Sequence, residues 1–347
     1  MRIHTEQSID PRRILLEANG PDERPAREVI AVSREALGGM NSDPKVAVVV
    51  ISHDTKALLL ECLASVFESA AGNDIETVVV DNASKDGSHE AVCRVYPQVI
   101  AIRNEANRGF GAACNQAISS TAAPFILLLN SDARLTPEGF GALLACMRAN
   151  DRCGAAGCLM FSAEGAPVVN TRNFLTALNQ PLEQSGLTGR LGFRGLGRTH
   201  RPTHGDDLLD CSVDWIDGAC LMLRRAALEQ AGLFDERFFM YSEDEDLCFR
   251  LRKHGWSICH SANGSAVHHG GASTAQNRVE MLRQFYSGQM LFLLKHRGRA
   301  SVALYAAAMK AILFFKRLAA APRQGSREEL AERLIALRQA QKIQMGH

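Results

Sequence analysis

Apolar side chains in the middle of the chain fall into short aliphatic runs separated by amphipathic stretches. Val46–Ile51 is an unbroken apolar run rich in valine, which predicts a strand covered on both faces. Ile75–Val80, Val99–Ile102 and Phe125–Leu129 predict three more strands. Between the first two, Leu58, Leu59, Cys62, Leu63, Val66 and Phe67 recur at helical spacing, with Asp54 placed to cap that helix. A further helix follows Asn107-Arg-Gly-Phe-Gly111, and Thr136-Pro137 opens another, threonine as cap and proline in the first turn. This alternation predicts an α/β domain with a mostly parallel central sheet and right-handed crossovers.

Texture divides the chain in three. Residues 1–44 mix Arg, Glu, Pro and Gly without clear periodicity and read as an N-terminal tail, an interaction arm being the alternative. Residues 45–273 carry the strand–helix alternation. Within them 162–210 is a variable region, and its Gly- and Arg-rich part, 186–205, reads as a loop. Two roles stay open for that loop: a flap whose arginines meet a diphosphate, or a solvated linker. Residues 274–347 read as a helical C-terminal extension. There, Ser301–Arg317 is strongly apolar, carries Lys310, Lys316 and Arg317, and follows Lys295, Arg297 and Arg299. Basic residues beside an apolar face suit peripheral contact with an anionic membrane. Packing on the rest of the chain, or on a second copy in a homo-oligomer, accounts for the same pattern. The charged last helix, 327–341, suits association as well.

Charge then narrows the class. A formal net charge of +1 argues against nucleic acid as a partner. The ten cysteines are scattered without a CxxC pair, so they read as reduced, buried small hydrophobes. No leader-like stretch opens the chain and no run reaches the ~18 apolar residues of a membrane span. The expected compartment is cytoplasmic, within reach of the inner face of the cell membrane.

In sheets of this kind ligands bind beyond the carboxyl ends of the strands. Ser52, His53 and Asp54 lie there after the first strand, Asp81 after the second, and Asn130, Ser131 and Asp132 after the fourth. Any one of them could simply cap a helix or make a turn. Three strand ends carrying acceptors together suit a ribose, a base edge and a divalent cation. Neither a P-loop nor a GxGxxG follows the first strand, so a diphosphate would need an oxygen-ligated Mg²⁺ or Mn²⁺, with Asp132 its natural first ligand. Glu243-Asp-Glu-Asp246 opens a helix running to His254, before Gly255. Acids there can merely meet the helix dipole, but Phe238, Phe239 and Tyr241 offer an apolar wall that would raise a carboxylate's pKa or stack on sugar.

Several segments, in order, resemble family 2 glycosyltransferases of the GT-A fold. They are Val46–Ile51, Val80-Asp-Asn-Ala-Ser-Lys-Asp-Gly-Ser88, Asn107–Asn115, Leu129-Asn-Ser-Asp132, Trp215-Ile-Asp-Gly-Ala-Cys220, Gly232–Arg250 and Val267–Ser273. The chain looks most like the bacterial rhamnosyltransferase-type branch that builds cell-surface polysaccharide. The resemblance implies inverting transfer from a nucleotide diphosphate sugar, with dTDP-rhamnose ahead of a UDP-hexose or UDP-galactofuranose. The acceptor would be a hydroxyl on a glycan or lipid-linked glycan. Asp81 would contact the base, with Ser52, Asp54, Asn107, Arg108 and Asn130 around the nucleotide. Asp132 matches the last position of an Asp-x-Asp-like metal motif whose first position here is Asn130, and His268 would complete the metal or diphosphate shell, with His269 as the rival. Asp244 matches the general base and Glu243 shapes the site beside it. Trp215, Gly218 and Ala219 fall on the acceptor side, although Trp215 could equally be core. One departure is His53-Asp54, where many members carry Tyr-Asn. Direct displacement needs a base for the acceptor proton and a cation for the departing diphosphate, and needs no carboxylate nucleophile. A non-catalytic sugar-nucleotide-binding module would dispense with Asp132 or Asp244, and both are present.

Overall fold

The computed structural model describes residues 46–186, 211–270, 278–319 and 324–345. The expected tail and nearly all of the 186–205 loop lie outside these residues. The first half runs β1 (Val46–Ser52), α1 (Lys56–Ser69), β2 (Ile75–Asp81), α2 (Ser88–Val95), β3 (Ile100–Arg103), α3 (Phe110–Ser119) and β4 (Phe125–Asn130). β1 pairs in parallel with both β2 and β4, and β2 with β3. In that register Ser52 stands opposite Asp81, and Ile51 opposite Asn130, so three strands end together at one sheet edge.

The next stretch comprises β5 (Ala133–Leu135), α4 (Pro137–Ala149), β6 (Cys153–Phe161), β7 (Pro167–Val168), β8 (Thr171–Arg172), α5 (Asn179–Ser185), β9 (Cys211–Ser212) and β10 (Trp215–Ile216). It continues through β11 (Cys220–Arg224), α6 (Arg225–Ala231), α7 (Glu243–Lys253) and β12 (Ser257–His268). Strand order in the main sheet is β3-β2-β1-β4-β11-β6-β12-β5. The expected parallel alternation therefore holds through β4, and beyond it the sheet is mixed. β6 leaves a slot beside β4, and β11 fills it running antiparallel to both neighbours. β12 is parallel to β6 but bulges between Ser261 and Ser265. Past the bulge it pairs antiparallel with β5, which sets His268 against Ala133 and so brings it back to Asp132.

The apolar runs are explained by cover on both faces. Val46, Val48 and Val50 pack with α1 and α4, whereas Val49, Val78 and Val80 pack with α3, α6 and α7. Thr136 caps α4 as expected, its hydroxyl accepting from Gly139 N at 3.0 Å. Asp54 does not cap α1. Thr55 takes that position, while Asp54 has a left-handed φ of 53° and accepts from Lys85 N at 2.6 Å. The nine cysteines whose side chains are described form no disulfide, as expected, and most are buried.

Three helices end the described chain: α8 (Arg278–Arg297), α9 (Arg299–Ala319) and α10 (Gln324–Met345). They share a core around Tyr286, Phe292, Tyr305 and Leu337 that also takes in Leu175 and Phe238 of the preceding domain. α9 buries Val302, Tyr305, Met309 and Leu313 and turns Leu304, Phe314, Phe315 and Leu318 outward. Among the described residues no helix is long and apolar enough to cross a membrane.

Candidate active site

The edge where β1, β2 and β4 end opens into a cavity of about 880 Å³. Ser52, His53, Asn82, Asn107, Asn130 and Asp132 line one half of it, together with His268. The amides there hold each other in place. Asn82 Nδ2 donates to Asn107 Oδ1 at 2.8 Å and Asn104 Nδ2 donates to Asn82 Oδ1 at 3.1 Å. Gly109 explains the Asn-Arg-Gly segment: its φ is 84°, and a Cβ at that position would come within 2.3 Å of the Phe239 carbonyl oxygen. The tight turn lets Phe110 N donate to that same oxygen at 2.9 Å, tying α3 to the loop before α7.

His268 Nε2 lies 3.1 Å from Asp132 Oδ1 and 3.4 Å from Asn130 Nδ2. His268, not His269, therefore faces the acid; His269 contributes only its backbone N–H to the Asp132 carbonyl. Among the described residues no group of three His, Cys, Asp or Glu side chains is arranged to hold a metal alone. One carboxylate and one imidazole suit a hard or borderline cation whose other positions are filled by phosphate and water. The donor set fits Mg²⁺ or Mn²⁺ in that shared manner.

Three expected nucleotide residues are not in the wall. Asp81 is 1% exposed; its Oδ2 accepts from Ser84 N at 3.3 Å and its Oδ1 has no partner among the described residues. Its position at the very end of β2, paired with buried Ser52, keeps it beneath the surface. Asp54 bonds Lys85 outside the cavity, and Arg108 reaches outward to Glu236 at 3.8 Å. Ser52, Asn107 and Asn130 do line the cavity, as do Trp215, Gly218 and Ala219.

The four consecutive acids of α7 have four separate fates, because successive helix residues point about 100° apart. Asp246 is fully buried and meets Arg250 at 2.8 Å and Lys295 and His296 at 2.7 Å each, which bolts α7 to α8. Glu245 accepts from Leu175 N at 2.6 Å, and burial pushes its carboxyl up to about 8. Glu243 is buried in the cavity wall, raised well above the carboxylate range by burial and by Asp244. Asp244 lines the cavity, its Oδ2 accepting from Gly218 N at 2.9 Å and its Oδ1 from Glu245 N at 2.8 Å. Burial first, and then the charge of Asp217, raise its pKa to about 6, against the pull of those two amides and Arg172. So the acidic run is more than a dipole cap: one member is left pinned, half-buried and facing open space.

Arg172 and Asp217 complete this side. Arg172 Nε donates to Asp217 Oδ1 at 2.8 Å and its guanidinium sits 5.5 Å from the Trp215 ring centre. Trp215 Nε1 donates to the Asn173 carbonyl at 3.2 Å, and its half-buried ring both packs on the core and forms cavity wall. Asp217 lay within a motif legible in the sequence, flanked by Trp215 and Gly218. Arg172 lay in the variable region, where no local pattern marks it. Leu175 and five residues of α8 also line the cavity, and nothing in their own segments points there.

A sheet edge dressed with amides and hydroxyls, an Asp–His pair beside it and a pinned carboxylate thus line one cavity. The family follows from the sequence. The pattern of glycosyl transferase family 2 matches residues 47–231, and the chain belongs to that family; it is a glycosyltransferase. It is 29% identical over 266 residues to an N-acetylglucosaminyl-diphospho-decaprenol L-rhamnosyltransferase of Mycobacterium tuberculosis, covering 72% of this chain and 85% of that one. It is 24% identical over 245 residues to the O-antigen biosynthesis protein RfbC of Myxococcus xanthus, covering 68% of this chain and 18% of that one. Its fold is similar to that of a mannosyltransferase of Pyrobaculum calidifontis solved with GDP-Man and Mn²⁺. That likeness has a TM-score of 0.54 over 88% of each chain at 15% identity, and it is one of fold, the GT-A fold.

Proposed function

We propose that the protein transfers a rhamnosyl unit from dTDP-rhamnose, with inversion, to a hydroxyl of a lipid-linked N-acetylhexosamine in cell-surface glycan synthesis. The observation that carries this reading is that Asp132, His268 and Asp244 line one cavity. The sugar and the acceptor follow the activity named for the mycobacterial relative, and dTDP follows the resemblance to rhamnosyltransferases drawn from the sequence. Ser52, Asn82, Asn107 and Asn130 bind and orient the nucleotide end. Asp132 and His268 hold Mg²⁺ or Mn²⁺, which supplies charge neutralisation for the departing diphosphate. Asp244 takes the proton of the acceptor hydroxyl on a carboxylate oxygen. Its pKa of about 6 leaves it ionised yet basic near neutrality, as a general base needs. Asp217 is held on Arg172 through both oxygens and is not offered as a nucleophile, and direct displacement with inversion needs none.

Asp132→Ala is expected to weaken dTDP binding roughly tenfold in Mn²⁺ and leave it unchanged in EDTA, since removing a metal contact acts only with metal present. Titration calorimetry reads both; equal affinity of the two proteins in Mn²⁺ would remove Asp132 from the metal site.

A lipid-linked acceptor brings the enzyme to a bilayer, and α9 offers a face for it. The helix carries no acidic residue, its outward Phe314, Phe315 and Leu318 are each more than half exposed, and Lys316 and Arg317 flank them. Such a face lies at the headgroup boundary of an anionic membrane. The protein should sediment with vesicles containing phosphatidylglycerol, and Phe314→Ser/Phe315→Ser should release it. Equal sedimentation of that double variant sinks the assignment of α9.

A further inference from the structure

The family match ends at residue 231, yet the cavity does not end with it. Past Asp244, α8 supplies Glu280, Met281, Gln284, Phe285 and Gln289, spaced to share one face of the helix. Phe285 meets Tyr241 edge to face at 5.8 Å, so this end offers aromatic and thioether surface beside amides. The wall is seated firmly. At Gly288 a Cβ would come within 2.3 Å of the Tyr241 carbonyl oxygen, so α8 rests directly on the backbone leading into α7.

Two observations say what this end receives. Glu243, 5% exposed and in the cavity wall, has an Oε2 with no hydrogen-bond partner among the described residues. A buried polar atom left unmet is costly, so a ligand hydroxyl that satisfies it gains affinity. Secondly, the one Arg or Lys among the described lining residues is Arg172, and Asp217 engages it through both oxygens, at 2.8 and 3.1 Å. Among the described residues this end therefore presents no uncommitted cation for a diphosphate. Apolar ring faces, amides and one unmet acid suit an uncharged pyranoside, whose C–H face stacks on aromatic rings while its edges take hydrogen bonds.

We propose that the α8 wall is the subsite for the acceptor's reacting sugar, an uncharged pyranoside held against Phe285, Met281 and Tyr241 and bonded to Glu243. Any diphosphate or lipid beyond that sugar stays outside it. The inference rests on the glycosyl transfer proposed above, and it assigns specificity to a helix outside the family match.

The probe is octyl N-acetylglucosaminide, followed by saturation-transfer NMR in the presence of dTDP and Mn²⁺. Release of dTDP from dTDP-rhamnose with the same glycoside reads transfer. Phe285→Ala and Met281→Ala are each expected to weaken glycoside binding roughly tenfold with dTDP affinity unchanged, the melting temperature falling for Phe285→Ala because its ring packs on the core of the last three helices; Phe285→Leu should recover part of the loss. Glycoside binding that is absent from the wild type, or equal in wild type and Phe285→Ala, overturns the subsite. So does a parallel loss of dTDP affinity, which would make α8 a donor support. Wild type that binds the glycoside through Phe285 but releases no dTDP keeps the subsite and sinks the rhamnose reading. Transfer with an acceptor KM untouched by Phe285→Ala does the reverse.

Discussion

Asp244→Asn is expected to slow sugar transfer by about 10²–10⁴-fold, the range a positioned general base contributes. Nucleotide binding should survive, because the residues of the donor half bond each other and none of them bonds Asp244. The substitution has a structural cost to separate from the chemical one. Asp244 accepts from two amide N–H groups, and asparagine has one oxygen to offer them. A buried donor left unmet costs about 1–3 kcal/mol, so the melting temperature should fall while the variant remains folded. Dependence on pH gives an independent reading. The base works ionised and its pKa is raised to about 6, so kcat/KM of the wild type should fall as pH drops through about 6. Asp217→Asn removes a charge that raises this pKa and should carry the break to lower pH. A variant Asp244→Asn that transfers at the wild-type rate, or a profile flat through pH 6, would take the proton-accepting role away from this residue.

Gly288→Ala should disable the enzyme from outside the reacting groups. Inside a helix the change to alanine ordinarily stabilises by about 0.5–1 kcal/mol. Here the new methyl carbon would stand 2.3 Å from the Tyr241 oxygen, a backbone atom that cannot swing aside. Tyr241 and Ser242 already hold left-handed φ values of 71° and 67°, so the segment has little room to yield. Overpacking of this kind costs about 1–3 kcal/mol, and the displacement propagates into Glu243 and Asp244, two and three residues on. Both stability and turnover should drop. Gly141→Ala in α4 is the control: no atom lies within 4 Å of its new carbon, so it should stabilise slightly and leave turnover alone. If Gly288→Ala melts and turns over like the wild type, α8 does not hold the catalytic loop.

Legibility from sequence followed the range of the interaction involved. The β1, β2 and β4 runs were readable because a strand buried on both faces must be apolar at every position, and Val46, Val48 and Val50 sit opposite Val49, Val78 and Val80 across the sheet for that reason. Thr136 was readable because its cap bond spans three residues. Asp54 misled because cap and turn use the same side chain: its carboxylate bonds Lys85, 31 positions away. Asp81 misled in a similar way, since a strand end predicts proximity to the site but not whether the last side chain faces solvent or the layer beneath.

By itself the sequence determined the parallel half of the sheet from β1 to β4 and the order of its motifs. Those are properties of short segments, set by periodicity and by residue type. Only the tertiary structure decided which of four adjacent acids is pinned by two backbone amides in the cavity, because helical rotation divides them among Leu175, Lys295, Gly218 and the cavity wall. Tertiary structure also decided that His268 rather than His269 reaches Asp132, through a bulge in β12. The same holds for α8: a face of Met281, Gln284 and Phe285 becomes a binding wall only once Asp246, Lys295 and Gly288 clamp it onto α7. Contacts between residues that far apart in the chain carry no local signature, since each partner is chosen by packing and not by its neighbours in sequence.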